Sequence, residues 1–300
     1  MPFLVNIKTN FERKIKMKRR TFINLGLSTV GVGLTGGTCA YLKDENMDRP
    51  TKKEGFVLAD LHCHPSSGQN TEETLEMLIS GLVGLTETNK SSNILTYSQA
   101  LNFPHIEEID PGILAKITYD DKVGYFMHTQ EVLCDYHILI LGLKENLPHF
   151  DDSRKATEEA HRRGGLVILN HPYVVQNPAS FTRFRLINDE EEKKVRELCE
   201  LIDEIEVFNA QNINPTLGIV IPNMKVANEK AVQLAKEYGF TGIAASDAHK
   251  RIEQVGTTGI YLSEEKLCLE SIQEQIKKGK FQRYEHYVSR WSFVRGMFGI

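Results

Sequence analysis

The stretch ADLHCHPSSG, residues 59–68, follows three apolar residues and places an acid and two histidines at alternate positions. Side chains two residues apart in a β-strand point to the same face. We therefore expect Asp60, His62 and His64 to line one side of a strand, with the intervening residues on the other side. Metal-bound imidazoles commonly donate their second N–H to a carboxylate, and Asp60 is placed for that role. The motif predicts a metal site at the end of a buried strand.

The composition indicates a globular chain whose two parts differ in charge. Hydrophobic residues make up 41% of the 300 residues, and we expect one main, barrel-sized domain. Five cysteines without a CxxC pair argue against a disulfide framework or a cysteine-based zinc site. The net charge is −4, but residues 1–40 carry +6 and residues 41–300 carry −10. The acidic body weighs against a broad nucleic-acid surface, because affinity for a phosphate backbone comes mainly from clustered cations.

The first residues of the chain have the order of an export signal of the Tat type. Arg19 and Arg20 precede a run, residues 21–42, that contains no charge and only mild hydrophobicity. Such a run suits an export signal better than a permanent membrane span. We expect residues 1–42 to be an export signal or anchor and residues 43–54 a polar linker. The protein would then be periplasmic or membrane-anchored, with membrane contact only through this segment; without a signal function it would be cytoplasmic.

From residue 55 onward, short apolar runs alternate with amphipathic helical patterns. Such alternation is typical of an α/β fold with a largely parallel sheet. The predicted domain covers residues 55–282, and a C-terminal tail covers residues 283–300. The predicted strands are residues 56–62, 83–87, 124–132, 137–142, 165–170, 203–208, 242–246 and 257–262. The predicted helices are residues 71–81, 153–163, 189–201, 224–238 and 264–279.

Candidate ligands and polar contacts stand at the ends of five predicted strands. They are Asp60, His62 and His64 on the first strand, and then Glu131, His171, Asn209, Asp247 and His249. In a parallel α/β barrel the carboxyl ends of all strands open onto one face, where such proteins build their sites. We therefore expect these residues to converge. On the strand before Asn209, Glu206 is the alternative contact, and the position at the strand end favours Asn209.

The ordered motifs DLHCH, QEV, HILILGL, NHP, EVFNAQ and SDAH resemble those of the PHP family, the polymerase and histidinol phosphatase superfamily, over roughly residues 56–262. The resemblance implies a distorted (β/α)7 TIM-like barrel and a metal-dependent phosphoesterase with clustered metals. It implies that one metal is held by His62, His64, Glu131 and Asp247. Glu131 would bridge to a second metal completed by His137 and His171, and His249 would lie on the remaining side.

The chain also departs from the family pattern at two places. Family members carry an aspartate a few residues after the first motif, where this chain has Ser-Ser-Gly-Gln ending at Gln69. They carry Thr-Asp-His at the end of the second strand, where this chain has Thr86, Glu87 and Thr88. We therefore predict two divalent metals per chain, with a third absent or held by Glu87. A nitrogen and oxygen ligand set without thiolate suits Zn, Mn or Fe(II).

The expected reaction is hydrolysis of a phosphomonoester or small phosphodiester by a water that the metals activate. We expect His249 to protonate the leaving alkoxide, with Asp60 as a second catalytic residue and Asn209 and Lys250 as substrate contacts. The expected partner is a small phosphorylated substrate, and no oligomeric state is predicted. Two alternatives stay open: a related barrel hydrolase that cleaves a C–N or ester bond, and a metal-binding module that has lost activity.

Overall fold

The computed structural model describes residues 50, 52–68, 71–89, 93–176, 184–213, 223–249, 251–290 and 292–293. The predicted export signal and most of the predicted linker lie outside these ranges, as does Lys250. Within the described residues, no helix has both the length and the hydrophobicity that crossing a membrane requires.

The described part of the chain alternates strands with helices from residue 56 onward. In chain order the elements are β1 (Phe56–His64), α1 (Thr71–Leu78), β2 (Leu82–Thr88), α2 (Tyr97–Ala100), β3 (Ile106–Asp110), β4 (Leu114–Tyr119), β5 (Lys122–Val132), β6 (Ile138–Leu141), α3 (Ser153–Arg162), β7 (Leu166–Leu169), β8 (Val174–Gln176), β9 (Phe184–Leu186), α4 (Asp189–Leu198), β10 (Glu204–Asn209), α5 (Lys225–Tyr238), β11 (Ile243–Ala245), β12 (Ala248–His249), a 3-10 helix (Ile252–Gln254), β13 (Gly259–Ser263), α6 (Leu269–Lys277) and β14 (Gln282–Tyr284).

Twelve of the described strands form one sheet that curls into a nearly closed barrel. Its order is β11-β10-β7-β6-β5-β2-β1-β13-β14, with β12 paired to β1 and the β3–β4 hairpin added to β5. Strands β1, β2 and β5 run parallel, and so do β7, β10 and β11. The curl brings β11 against β1, where the Asp247 N–H donates to the His62 carbonyl at 2.8 Å. The fold is the predicted one, a distorted TIM-like α/β barrel.

Two of the predicted barrel strands, β13 and β6, depart from the parallel arrangement, and β13 runs antiparallel to β1. Strand β6 is antiparallel to both of its neighbours, β5 and β7. Only residues 133–137 connect β5 to β6, whereas a parallel pair needs a crossover of about a dozen residues or more. The reversal places the start of β6 at the same rim as the ends of β5 and β7. His137 therefore reaches that rim from the beginning of its strand.

Successive side chains of the barrel strands pack alternately in two apolar clusters, one inside the barrel and one outside it. In β6, Leu139 and Leu141 belong to a cluster inside the barrel, to which strands around the whole barrel and helix α6 contribute. Ile138 and Ile140 instead pack in a cluster that includes side chains of helices α3, α4 and α5. Burial on both faces explains why the strand sequence is a continuous apolar run.

The predicted strands and helices all overlap observed elements, but two hairpins were missed. The β3 sequence IEEID is only partly buried and carries three acids, so its pattern is typical of a loop. The predicted tail also contributes to the barrel. Strand β14 pairs with β13, and Val288 is buried in a cluster with Phe208.

Candidate metal centre

Six candidate ligands converge at one rim of the barrel, and we call them the rim cluster: His62, His64, Glu131, His137, His171 and Asp247. They come from the ends of β1 and β5, the start of β6 and the residues after β7 and β11. Their donor atoms fall into overlapping groups of three, and the atoms of each group lie within 4.8 Å of one another. Strand ends that are far apart in sequence therefore meet as the sequence predicted.

Glu131 lies at the centre of the rim cluster. Its Oε1 atom is 3.0 Å from His137 Nδ1, 3.5 Å from His171 Nε2 and 3.6 Å from His62 Nε2. Its Oε2 atom is 3.4 Å from His64 Nε2. One carboxylate thus faces four imidazoles, and this cluster of donors suits the binding of divalent metal.

The imidazoles of His62 and His64 are oriented by hydrogen bonds on their Nδ1 atoms. His62 Nδ1 donates to Glu206 Oε2 at 2.8 Å, and His64 Nδ1 donates to the Thr86 carbonyl at 2.9 Å. The two Nε2 atoms then face each other at 3.3 Å with both rings buried. Two donors that bind one ion at about 2.1 Å lie roughly 3.0–3.5 Å apart. The spacing therefore fits a shared cation.

Two residues of the rim cluster adopt strained backbone conformations. Asp247 has φ 49° and His171 has φ 26°, in a region that residues with a side chain seldom occupy. Asp247 Oδ1 lies 3.5 Å from His62 Nε2, and its Oδ2 accepts a 3.0 Å hydrogen bond from Asn209 Nδ2. Strain of this kind costs on the order of 1 kcal/mol per residue and is concentrated at functional sites.

Asp60 does not have the predicted place beside the histidines. A β-bulge interrupts the pairing of β1 with β2 between Asp60 and Cys63, so that Leu61 lies in the cluster inside the barrel while Cys63 packs in a different one. The bulge shifts the alternation by one residue and turns His62 toward the rim. Asp60 instead accepts backbone N–H groups of Ser246 at 3.0 Å and Gly256 at 2.9 Å.

The carboxylate that orients His62 is Glu206, although the position at the strand end favours Asn209 as the contact. Glu206 is 1% exposed and Asn209 is 2% exposed, so neither lies at an open substrate surface. Asn209 contacts the rim cluster through its hydrogen bond to Asp247. The signal for Glu206 was present in the β10 sequence EIEVFN, because a carboxylate in a buried strand requires a partner.

The remaining predicted site residues lie at the margin of the rim cluster. His249 is exposed, and its Nδ1 donates to the Asp247 carbonyl at 2.9 Å, with its ring 4.7 Å from that of His64. The Glu87 carboxylate accepts the Tyr97 N–H at 3.2 Å and the Asn146 amide at 3.0 Å. The donor atoms of His249, His64 and Asp247 lie within 4.8 Å of one another, whereas Glu87 belongs to none of the ligand groups formed by the described residues.

The rim cluster holds its carboxylates ionised. Burial would raise the pKa of Glu131, but the imidazoles of His137, His171 and His62 hold it well below its usual range. Burial lowers the pKa of His64. Burial also opposes a positive charge on His62. The carboxylates of Asp247 and Glu206 outweigh this effect and raise the pKa of His62 well above its usual range. The raised pKa values of His62 and His171 favour protons that balance the carboxylates, and a divalent cation could replace these protons.

Replacement of Glu206 by Gln is expected to weaken divalent-metal binding about ten- to a hundredfold, because the His62 imidazole loses the carboxylate that fixes its orientation and increases its basicity. Equilibrium dialysis against Mn²⁺ or Co²⁺ measures the change. Glu204→Gln is the matched control: Glu204 is buried in the same strand but accepts the Gly242 N–H, away from the rim cluster. Equal metal affinity in the Glu206 variant and the wild type would contradict this role.

Comparisons with known proteins agree with the observed fold. Residues 225–281 match the sequence model of a family described as PHP-associated. An uncharacterized protein of Methanocaldococcus jannaschii is 29% identical over 126 residues, which cover 41% of this chain and 45% of that protein. The chain therefore matches less than half the length of this curated relative.

Two solved structures are similar to this chain. One is a two-domain protein from Bacteroides vulgatus containing a predicted PHP-like metal-dependent phosphoesterase, with a TM-score of 0.50 at 17% identity over 86% of this chain and 74% of that chain. The other is a lesion-specific endonuclease from Pyrococcus furiosus, with a TM-score of 0.45 at 16% identity over 76% of this chain and 57% of that chain. This chain therefore shares its fold with the first of these structures, and residues 225–281 carry PHP-associated sequence.

Proposed function

We propose that the protein is a metal-dependent phosphoesterase that uses the rim cluster to hold two divalent cations. The observation that carries this proposal is the position of Glu131, whose two oxygens lie within 3.6 Å of four imidazoles. His62, His64 and Asp247 would complete one cation site with Glu131. His137 and His171 would complete the other.

The donor set supports a transition-metal cation. It contains imidazole nitrogens and carboxylate oxygens but no thiolate, which suits Zn, Mn or Fe(II). The nearby Cys63 packs in an apolar cluster, and burial raises the pKa of its thiol. Cys63 therefore does not compete as a ligand.

Two cations are proposed because a third cation would find only the group of His64, Asp247 and His249, without the further ligands that the family pattern supplies. The aspartate that family members carry a few residues after the first motif is missing from this chain. Glu87, the remaining candidate, already accepts hydrogen bonds from Tyr97 and Asn146 with its two oxygens. His249 is then available for another role.

The bound cations would activate a water and neutralise phosphate charge, which is the chemistry that such pairs supply to phosphoester hydrolysis. The residues of the chain orient the metal ligands and protonate the leaving oxygen. Glu206 and the Thr86 carbonyl fix the orientation of the His62 and His64 rings. The exposed His249 ring donates from Nδ1 to the Asp247 carbonyl and keeps Nε2 for the leaving oxygen. A protonated imidazole there would act as general acid.

A cavity next to the rim cluster supports a small substrate. It has a volume of about 350 Å³ and is bordered by His137, His171, Arg185 and Lys194. Ligand sites for small molecules fall in the range of roughly 300–1,000 Å³. Arg185 is paired with Glu191, which also borders the cavity, at 2.6 Å, so Lys194 is the cationic side chain proposed to contact an anionic group of the substrate.

The test is an assay of the full chain on p-nitrophenyl phosphate and on bis(p-nitrophenyl) phosphate after addition of Mn²⁺ or Zn²⁺. Metal-dependent hydrolysis of either ester supports the proposal and tells a phosphatase from a phosphodiesterase. Cleavage of an amide or carboxylic ester without cleavage of either phosphoester would contradict it and favour the related barrel hydrolase.

Replacement of His249 by Gln is expected to lower turnover about 10²- to 10⁴-fold, the contribution of a general acid, while metal content stays normal. Gln is polar and of similar length but cannot supply the proton. A nitrophenolate leaving group needs little protonation, so the loss should be larger for an alkyl phosphate. Loss of bound metal in this variant would show instead that His249 is a ligand.

A further inference from the structure

Asn170, the residue after β7, lies among the ligands of the rim cluster. It is 2% exposed, and its backbone N–H donates to the His137 carbonyl at 3.0 Å. Its side-chain nitrogen Nδ2 is 3.4 Å from His62 Nε2 and 3.5 Å from Glu131 Oε1. These distances match those between the ligands themselves, such as 3.6 Å between His62 Nε2 and Glu131 Oε1. The end of the amide therefore occupies the position of a further ligand.

The amide is satisfied on one side only. The Nδ2 atom donates to Glu131 Oε1 and lies beside His62 Nε2, whereas the buried Oδ1 atom finds no hydrogen-bond partner among the described residues. The two ends of an amide have the same shape, and their assignment follows from the surrounding hydrogen bonds. A cation bound to His62 and Glu131 would repel the N–H group and attract the carbonyl oxygen, so the favoured orientation would reverse.

We propose that Asn170 is a metal ligand, whose side-chain oxygen binds the cation held by His62 and Glu131. This inference rests on the proposed function, because it requires that the rim cluster bind metal. Amide oxygens are accepted ligands of hard and borderline divalent cations. The ligand set would then include the uncharged side-chain oxygen of Asn170, which lies between the end of β7 and His171.

Asn209 provides a contrast of the same residue type and burial at the end of the neighbouring strand β10. Its Nδ2 donates to Asp247 Oδ2 at 3.0 Å, and its Oδ1 accepts the Gln211 N–H at 2.9 Å. Both ends of this amide are satisfied, so its orientation is fixed with the N–H toward the rim cluster. Asn209 is a hydrogen-bond donor to a ligand, and replacement by Asp would place two carboxylates together.

The test is Co²⁺ titration of the full chain in its wild-type form and as the variants Asn170→Ala, Asn170→Asp and Asn209→Asp. The readouts are the dissociation constant and the visible absorption spectrum of bound Co²⁺, without substrate. We expect Asn170→Ala to bind Co²⁺ about ten- to a hundredfold more weakly, and with an altered spectrum, because one ligand is lost. Asn170→Asp should bind at least as tightly as the wild type, since it keeps an oxygen and adds charge. Asn209→Asp should bind more weakly.

Three results would overturn the inference, and they are distinguishable. Unchanged affinity and spectrum in Asn170→Ala would show that Asn170 is not a ligand. Asn170→Asp binding as weakly as Asn170→Ala, while both melt at the wild-type temperature without metal, would show that the amide acts as an N–H donor. A folded wild-type protein that binds no Co²⁺ would overturn the proposed function itself.

Discussion

Glu131→Gln is expected to abolish both metal binding and phosphoester hydrolysis. The Glu131 carboxylate faces four imidazoles within 3.6 Å, and Gln would present an N–H group to some of them. Both proposed cation sites share this residue, so a single substitution should empty both. Bound cations supply several kcal/mol of charge stabilisation, and each 1.4 kcal/mol is a factor of ten, so activity should fall at least about a thousandfold.

Elemental analysis together with hydrolysis assays on the purified full chain measures this effect. Glu87→Gln is the matched control, because Glu87 is a carboxylate at the end of β2 whose hydrogen bonds go to Tyr97 and Asn146. It should keep wild-type metal content and activity. A Glu131 variant with normal metal content would contradict the bridging role, and metal loss in the Glu87 variant would point to a third cation.

Gly84→Ala is expected to destabilise the barrel and displace the first motif. A Cβ atom at Gly84 would lie 2.3 Å from the Leu61 carbonyl oxygen and 2.8 Å from Leu61 Cα. These are backbone atoms of the β1 bulge, so no flexible side chain can move aside. Overpacking of this kind costs about 1–3 kcal/mol, and more where the backbone must shift. We expect a loss of about 3 kcal/mol and a weaker metal site, because the bulge also carries His62.

Urea denaturation of the metal-free protein measures the free energy of unfolding. Gly68→Ala is the control, since a Cβ atom there meets nothing within 4 Å. The control should stay within about 0.5 kcal/mol of the wild type. A Gly84 variant with wild-type stability would contradict the close contact between the backbones of β1 and β2 at the bulge.

The convergence of ligands at one rim was predictable because the ends of parallel strands meet at one side of a barrel. His62, Glu131 and Asp247 could be placed there from their positions after apolar runs. His137 precedes its strand, and only the short connection from β5 to the reversed β6 explains how it reaches the rim.

The positions of Asp60 and Glu206 show where sequence periodicity was insufficient. Alternation predicts the face of the strand to which each side chain points only while the strand is regular. The bulge after Asp60 adds one residue to β1, so the later side chains point to the opposite face from the one predicted. The carboxylate beside His62 therefore comes from β10, a strand separated by more than a hundred residues. Such a pairing depends on barrel closure, which local patterns do not describe.

The most direct test of the metal-dependent phosphoesterase is to strip the full chain with a chelator, restore Mn²⁺ or Zn²⁺, and follow metal content and phosphoester hydrolysis in the same samples. We predict about two divalent cations per chain, as in two-metal phosphoesterases, with hydrolysis lost on stripping and regained on restoration. A folded protein that binds no divalent cation, or that hydrolyses phosphoesters equally well after stripping, would contradict the metal-dependent phosphoesterase.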